Sequence, residues 1–222
     1  VDLSVWYVEP VTAKEKTIAH QPVSLENVGW LHYNATKNLD NVKCWGEDVA
    51  IKEALLFKEA GGSAIVDLSV TGMGRNPLAL KRIAQATGLN IIMGCGYYIE
   101  PSQPPELARK TEEEIAEEII RDITVGADNT GVKAGIIGEI GCSYPLMAGE
   151  RKVLRAAAIA QKRTGAAINV HPGYPSETSP LEIIEVLAEA GASIQRTVIS
   201  HIDYISTDAK RVSRYLQYGC YI

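Results

Sequence analysis

The stretch AAINVHPGYP, residues 166–175, runs an apolar segment into a histidine and then a Pro-Gly turn. Ala166–Val170 reads as a short strand apolar on both faces, with His171 closing it. One repeat later, RTVISHIDYI (196–205) does the same, with His201 closing Thr197–Ser200. The two histidines stand about thirty residues apart, the length of one βα unit. One unit upstream, VKAGIIGEIG (132–141) reads as another buried strand and carries Glu139 near its end.

Outward from these strands the chain alternates regularly. Helices are predicted over DVAIKEALLFKEAGG (48–62), NPLALKRIAQATG (76–88), TEEEIAEEIIRDITVG (111–126), ERKVLRAAAIAQKRTG (150–165), SPLEIIEVLAEAG (179–191) and DAKRVSRYLQYG (208–219). Asn76 is the expected N-cap ahead of Pro77, and Thr111 with Glu114 forms a capping box. Ser179, Pro180 and Glu182 read as a second capping box. SAIVDLS (63–69) and NIIMGCGYY (90–98) are two further strands, and CYI (220–222) begins another. Residues 1–46, punctuated by Pro10, Pro22, Gly29 and Gly46, read as irregular, with one short helix in ENVGWLHYNATKNL.

Strict helix–strand alternation with short loops fits a (β/α)8 TIM barrel or an open doubly wound sheet. The first strand–helix turn, DLSVTGMGRN, contains Gly72 and Gly74 but no GxGxxG, which weakens a dinucleotide-binding reading. The barrel reading gains from the polar residues at strand ends: Asp67, Tyr97 and Tyr98, Glu139, His171 and His201. A carboxylate and two imidazoles from consecutive strand tips form a ligand set for zinc or a similar divalent ion. Each of the three alone has an ordinary structural explanation; the equivalent positions of the two histidines favour the metal site. His20 and His32 read as surface or packing residues.

Composition narrows the classes. The chain has 222 residues, a net charge of −5 and 46% hydrophobic residues, enough for one α/β domain over 1–222. Basic residues do not cluster, which argues against a nucleic-acid partner. No apolar run approaches the roughly 18 residues of a membrane span. The opening VDLSVWYVEP lacks a basic n-region, so it does not read as a signal peptide. Cys44, Cys95, Cys142 and Cys220 are scattered, as expected of reduced thiols in a cytoplasmic protein. The Glu112–Glu114 and Glu117–Glu118 runs read as a solvated helix face, and Arg75 as a solvated loop cation able to meet an anionic substrate.

AGIIGEIGCSYPL, INVHPG and VISHID, with GGSAIVDLSVTGMGRN and the closing YGCYI, resemble the phosphotriesterase-related proteins of the phosphotriesterase family, amidohydrolase superfamily. The resemblance implies a (β/α)8 barrel with two divalent metals, usually zinc, activating a hydroxide. It implies that Glu139 bridges the metals, in place of the carboxylated lysine of the wider family, and that His171 and His201 are ligands. The implied activity is hydrolysis of a small molecule, an amide or ester ahead of a phosphotriester; a homo-oligomer is compatible with it. The family also carries a His-x-His pair on its first strand and an aspartate on its eighth, and neither occurs here. Five complete strands and the start of a sixth are countable, against eight in a closed barrel. The expectation is a fragment without the first and last strands, inactive and poorly stable when expressed alone.

Two alternatives stay open at this point. One is a catalytically inactive truncated form that binds partners. The other, a Schiff-base aldolase barrel, needs a strand-end lysine, and Lys133 lies at the wrong end of its strand.

Overall fold

The structure, a computed structural model, describes residues 7–43, 46–173, 176–203 and 207–222; Cys44 lies outside them. Three short helices precede the regular repeats: α1 (Ala13–Ala19), α2 (Val28–Leu31) and α3 (Leu39–Val42). The short helix expected in ENVGWLHYNATKNL forms as α2, whereas α1 and α3 stand where irregular chain was expected. Thr12 caps α1, accepting from Glu15 N. Asn38 fastens the segment from within: wholly buried, it caps α3 and donates to the Ile18 and Gln21 carbonyls, each at 2.9 Å.

The repeats then follow in order: α4 (Glu47–Glu59), β1 (Ala64–Asp67), α5 (Pro77–Thr87), β2 (Asn90–Cys95), α6 (Glu112–Thr124), β3 (Ile136–Gly141), α7 (Ala148–Thr164), β4 (Ile168–His171), α8 (Ser179–Glu189), β5 (Thr197–Ile199) and α9 (Ala209–Leu216). The Asn76 cap and the Thr111–Glu114 capping box form as predicted. The predicted box at α8 does not. Thr178 is the N-cap, and Ser179 lies inside the helix, where its hydroxyl accepts from Gly173 N at 2.9 Å.

All five strands are parallel, in the spatial order β1-β2-β3-β4-β5. This order never reverses, whereas a doubly wound sheet has a switch point; the sheet is that of a half-barrel. Past β5, Tyr221 bridges Val198 in parallel, with Tyr221 N donating to Thr197 O at 2.9 Å, so the predicted sixth strand does begin there. The core lies between sheet and helices, built on Ile115, Ile119, Leu154, Ile183 and Leu187 against Ile137, Ile168 and Ile199. On the opposite face Val66 and Ile92 pair in register and remain 48% and 40% exposed.

Two close approaches fix the strand that carries Glu139. A Cβ on Gly138, which sits at φ +125°, would lie 2.2 Å from Asn169 O in β4. One on Gly141 would lie 2.3 Å from Ile99 N, in the loop after β2. Side chains at these positions would push the neighbouring backbones away from β3.

Candidate metal centre

Glu139, His171 and His201 come together at the C-terminal side of the sheet, each offering a ligand atom within 4.8 Å of the others'. His201 Nε2 lies 2.9 Å from Glu139 Oε1, and His171 Nδ1 lies 3.5 Å from the same oxygen. The two imidazole rings meet edge to face with centroids 4.6 Å apart. The positions refine the expectation. Glu139 lies inside β3 and His171 is the last residue of β4, but His201 lies two residues past β5. His201 occupies the left-handed region, at φ +55°, which non-glycine residues adopt sparingly and which concentrates at functional sites.

Burial grades across the cluster. The side chain of Glu139 is 9% exposed, that of His171 26% and that of His201 54%. Desolvation by burial raises the Glu139 carboxyl, but His171 and then His201 more than reverse this. The group ends below the ordinary carboxylate range and is an anion at neutral pH. His171 Nδ1 is buried and has no hydrogen-bond partner. A buried polar nitrogen left unpaired beside a carboxylate oxygen fits a divalent ion coordinated by both. The donor set, one carboxylate and two imidazoles, is of the kind that zinc and similar ions take.

Tyr98 adjoins the cluster. Its Oη is 3.4 Å from His171 Nε2, and the two rings stack edge to face at 5.3 Å. Burial and then the Glu139 charge push its hydroxyl up to about 12, so it remains a donor. Tyr97 turns away, donating to Glu118 Oε2 at 2.5 Å. Both tyrosines lie just past β2 rather than within it. Asp67 ends β1 but accepts from Ser69 N at 3.1 Å and is not among the clustered ligands.

Arg75 departs from its expected role as a solvated cation. Its side chain is 4% exposed and pairs with Asp122 at 2.7 Å and Asp128 at 2.8 Å, tying the loop after β1 to α6 and the loop beyond it. The acidic face of α6 is solvated as expected, and its Glu112 pairs with Arg155 at 3.4 Å, while Glu113 and Glu117 pair with Arg163 of α7. Lys133 is exposed and precedes β3, which leaves no strand-end lysine there for a Schiff base. One buried acid escaped the sequence reading altogether. Glu150, wholly buried at the start of α7, accepts four hydrogen bonds from loops near the cluster. At the third position of its helix it reads as an ordinary capping glutamate.

Successive parallel β/α units with carboxylate and imidazole groups at their C-terminal ends define a β/α protein with a strand-end ligand cluster. The profile of the phosphotriesterase family matches residues 7–222, and the chain belongs to that family. It is 42% identical over 217 residues to the N-acetyltaurine hydrolase of Homo sapiens, covering 97% of this chain and 62% of that protein. It is 39% identical to a phosphotriesterase-related protein of Nematostella vectensis, covering 100% of this chain and 64% of that one. A crystal structure of a resiniferatoxin-binding protein from Rhodobacter sphaeroides superposes with a TM-score of 0.88 at 35% identity, over 98% of this chain and 61% of the other. The phosphotriesterase homology protein of Escherichia coli, solved with phosphate in its active site, superposes with a TM-score of 0.77 at 27% identity, over 91% and 66%. The chain therefore spans less than two thirds of the length of the curated relatives it matches. No helix among the described residues is long and apolar enough to cross a membrane.

Proposed function

We propose that this chain carries half of the metal centre of a hydrolase that cleaves an amide or ester bond in a small molecule. One observation carries the reading: Glu139, His171 and His201 offer ligand atoms within 4.8 Å of one another, and His171 Nδ1 among them is buried with no hydrogen bond to satisfy it. Glu139 would be the carboxylate shared by two zinc ions, and His171 and His201 would be ligands of one of them. Bound there, a divalent ion would supply a water of lowered pKa and polarise the oxygen of the scissile bond.

The chain's own groups supply the rest. Glu139 is held as an anion, which keeps its oxygens free of protons and available as ligands. Tyr98, held protonated, can donate a hydrogen bond to a substrate oxygen beside His171. Residues 1–222 belong to one (β/α)8 barrel domain, of which the five parallel strands are the part described. Relatives named N-acetyltaurine hydrolases favour an N-acylated small acid over a phosphotriester. Buried, unpaired Cys95, Cys142 and Cys220 fit a reducing, cytoplasmic setting.

The test uses the full-length protein. Chelation should abolish hydrolysis of N-acetyl amino acids and aminosulfonates, and Zn2+ should restore it. Hydrolysis that survives complete metal removal would overturn the reading.

A further inference from the structure

Glu150 sits at the third position of α7, wholly buried, and its two oxygens accept from two loops at once. Oε1 takes Ser143 Oγ at 2.7 Å and Glu100 N at 3.1 Å. Oε2 takes Ser143 N at 2.8 Å and Met147 N at 3.1 Å. The clasp is reciprocal, since Glu100 Oε2 accepts from Gly149 N at 2.7 Å.

Each loop leads directly into the ligand cluster. Glu100 follows Tyr98 by two residues, and Gln103 Nε2 holds the Tyr98 carbonyl at 2.7 Å. Ser143 follows Glu139 by four residues, and between them Cys142 N donates to the His171 carbonyl at 2.9 Å. The third loop, after β4, lies against the same point: a Cβ on Gly173 would be 2.4 Å from Ser143 C. The loops that follow Tyr98 and Glu139 therefore share one anchor, and the loop that follows His171 packs against it.

A carboxylate that only capped α7 would need Met147 N and its neighbours. Three of the four donors here lie on the strand-end loops instead. Four donors on one carboxylate also fix it more rigidly than a single cap bond would, because charge-assisted hydrogen bonds are short and directional.

We propose that Glu150 is a positioning residue for the metal centre, locking the loops after β2 and β3 so that Tyr98, Glu139 and His171 keep their mutual geometry. The inference rests on the metal reading above. Outer partners that orient metal ligands change metal affinity by roughly 10–100-fold when removed.

The test titrates Co2+ into the metal-free full-length protein and records its visible absorption, with Glu150→Gln and Ser143→Ala as variants. Glu150→Gln sets an amide N–H2 against backbone N–H donors, and Ser143→Ala removes only the 2.7 Å bond. Glu150→Gln should weaken Co2+ binding by about tenfold or more and shift the ligand-field bands. Ser143→Ala should move both in the same direction by less. Should Glu150→Gln fail to fold, Ser143→Ala decides alone. Folded variants with the wild-type Co2+ spectrum and affinity would overturn the positioning role while leaving the metal reading intact. Wild-type protein that binds no Co2+ would overturn both.

Discussion

His201 Nε2 reaches Glu139 Oε1 at 2.9 Å across 62 residues of chain, although β4 lies between their strands. The contact is made above the tip of β4, where His171 ends that strand and its ring meets that of His201. β3, β4 and the loop that leaves β5 thus deliver one side chain each to a single point, as a shared ion requires. Glu139 is the common partner, so it should carry the largest share of affinity. Glu139→Gln keeps the shape and removes the charge. Because altering even an outer partner of a ligand costs roughly 10–100-fold, Glu139→Gln should weaken Zn2+ binding by at least about 100-fold. Competition against a chromogenic chelator measures it; an unchanged affinity would remove Glu139 from the ligand set.

His201 separates ligation from folding. It is half exposed, so its replacement removes little packing, and asparagine tolerates its φ of +55° better than most residues. His201→Asn gives up one hydrogen bond to Glu139 and should cost no more than about 1–3 kcal/mol of stability. It should nonetheless lose Zn2+ affinity by a factor comparable to that of Glu139→Gln. Urea melts of the metal-free protein, paired with Zn2+ titrations, test both halves. A large loss of stability without a loss of affinity would make His201 a structural residue.

The metal-free protein should also show Glu139 in its acid limb. The carboxyl is lowered from its ordinary value in the folded state, chiefly because the facing imidazoles outweigh the burial that raises it. The unfolded chain therefore binds its proton first as pH falls, near the ordinary value of about 4.3. The stability the group contributes is complete above that value and is lost as pH falls through the lower folded value. Between about pH 5 and 3, wild type should lose stability more steeply than Glu139→Gln. Parallel slopes in thermal melts over that window would show that Glu139 titrates alike in both states.

Arg75 makes a prediction of the opposite kind, about stability without ligation. It is buried between Asp122 and Asp128, and burial already raises the Asp122 carboxyl despite the guanidinium. Arg75→Ala would leave that carboxylate desolvated with no counter-charge. Breaking a buried pair in this way costs about 3–5 kcal/mol. Lysine should recover only part of it, since one ammonium cannot reproduce the two-sided fork. Urea midpoints compare the three proteins, and a loss below about 1 kcal/mol would mean that the pair is solvated in solution.

The parts legible in the sequence were those with local causes. Asn76 and Thr111 announced their helices because a cap bonds within three residues. The βα repeat placed Glu139, His171 and His201 at the ends of three consecutive strands. What lay beyond reach depends on partners distant in sequence. Arg75 looked like a loop cation because Asp122 and Asp128 lie 47 and 53 residues away. Glu150 went unread because Glu100 N, 50 residues upstream, cannot be paired with it by inspection. Ser179 misled in the same way: its hydroxyl takes Gly173 N across the turn rather than capping its own helix. The short α1 was missed because Pro10 and Pro22 mark turns at both ends, while the Thr12 cap between them is a weak signal.

Val66 and Ile92 set the test of the barrel itself. They pair in register on the face of β1 and β2 opposite Ile91, which packs against the core, and are left 48% and 40% exposed. Beyond β1 no further strand pairs with the sheet among the described residues. An open edge beside exposed aliphatic side chains favours association between chains. Residues 1–222 expressed alone should therefore aggregate, and Val66→Lys with Ile92→Lys should raise their soluble yield. In the longer protein the same face should line a closed barrel, where side chains fill the interior in layers. An unpaired ammonium there is strongly disfavoured, so the double variant should fail to fold. The two contexts thus predict effects of opposite sign from one pair of substitutions. A full-length double variant with an unchanged melting temperature would show that this face stays in water and that the sheet does not close over it.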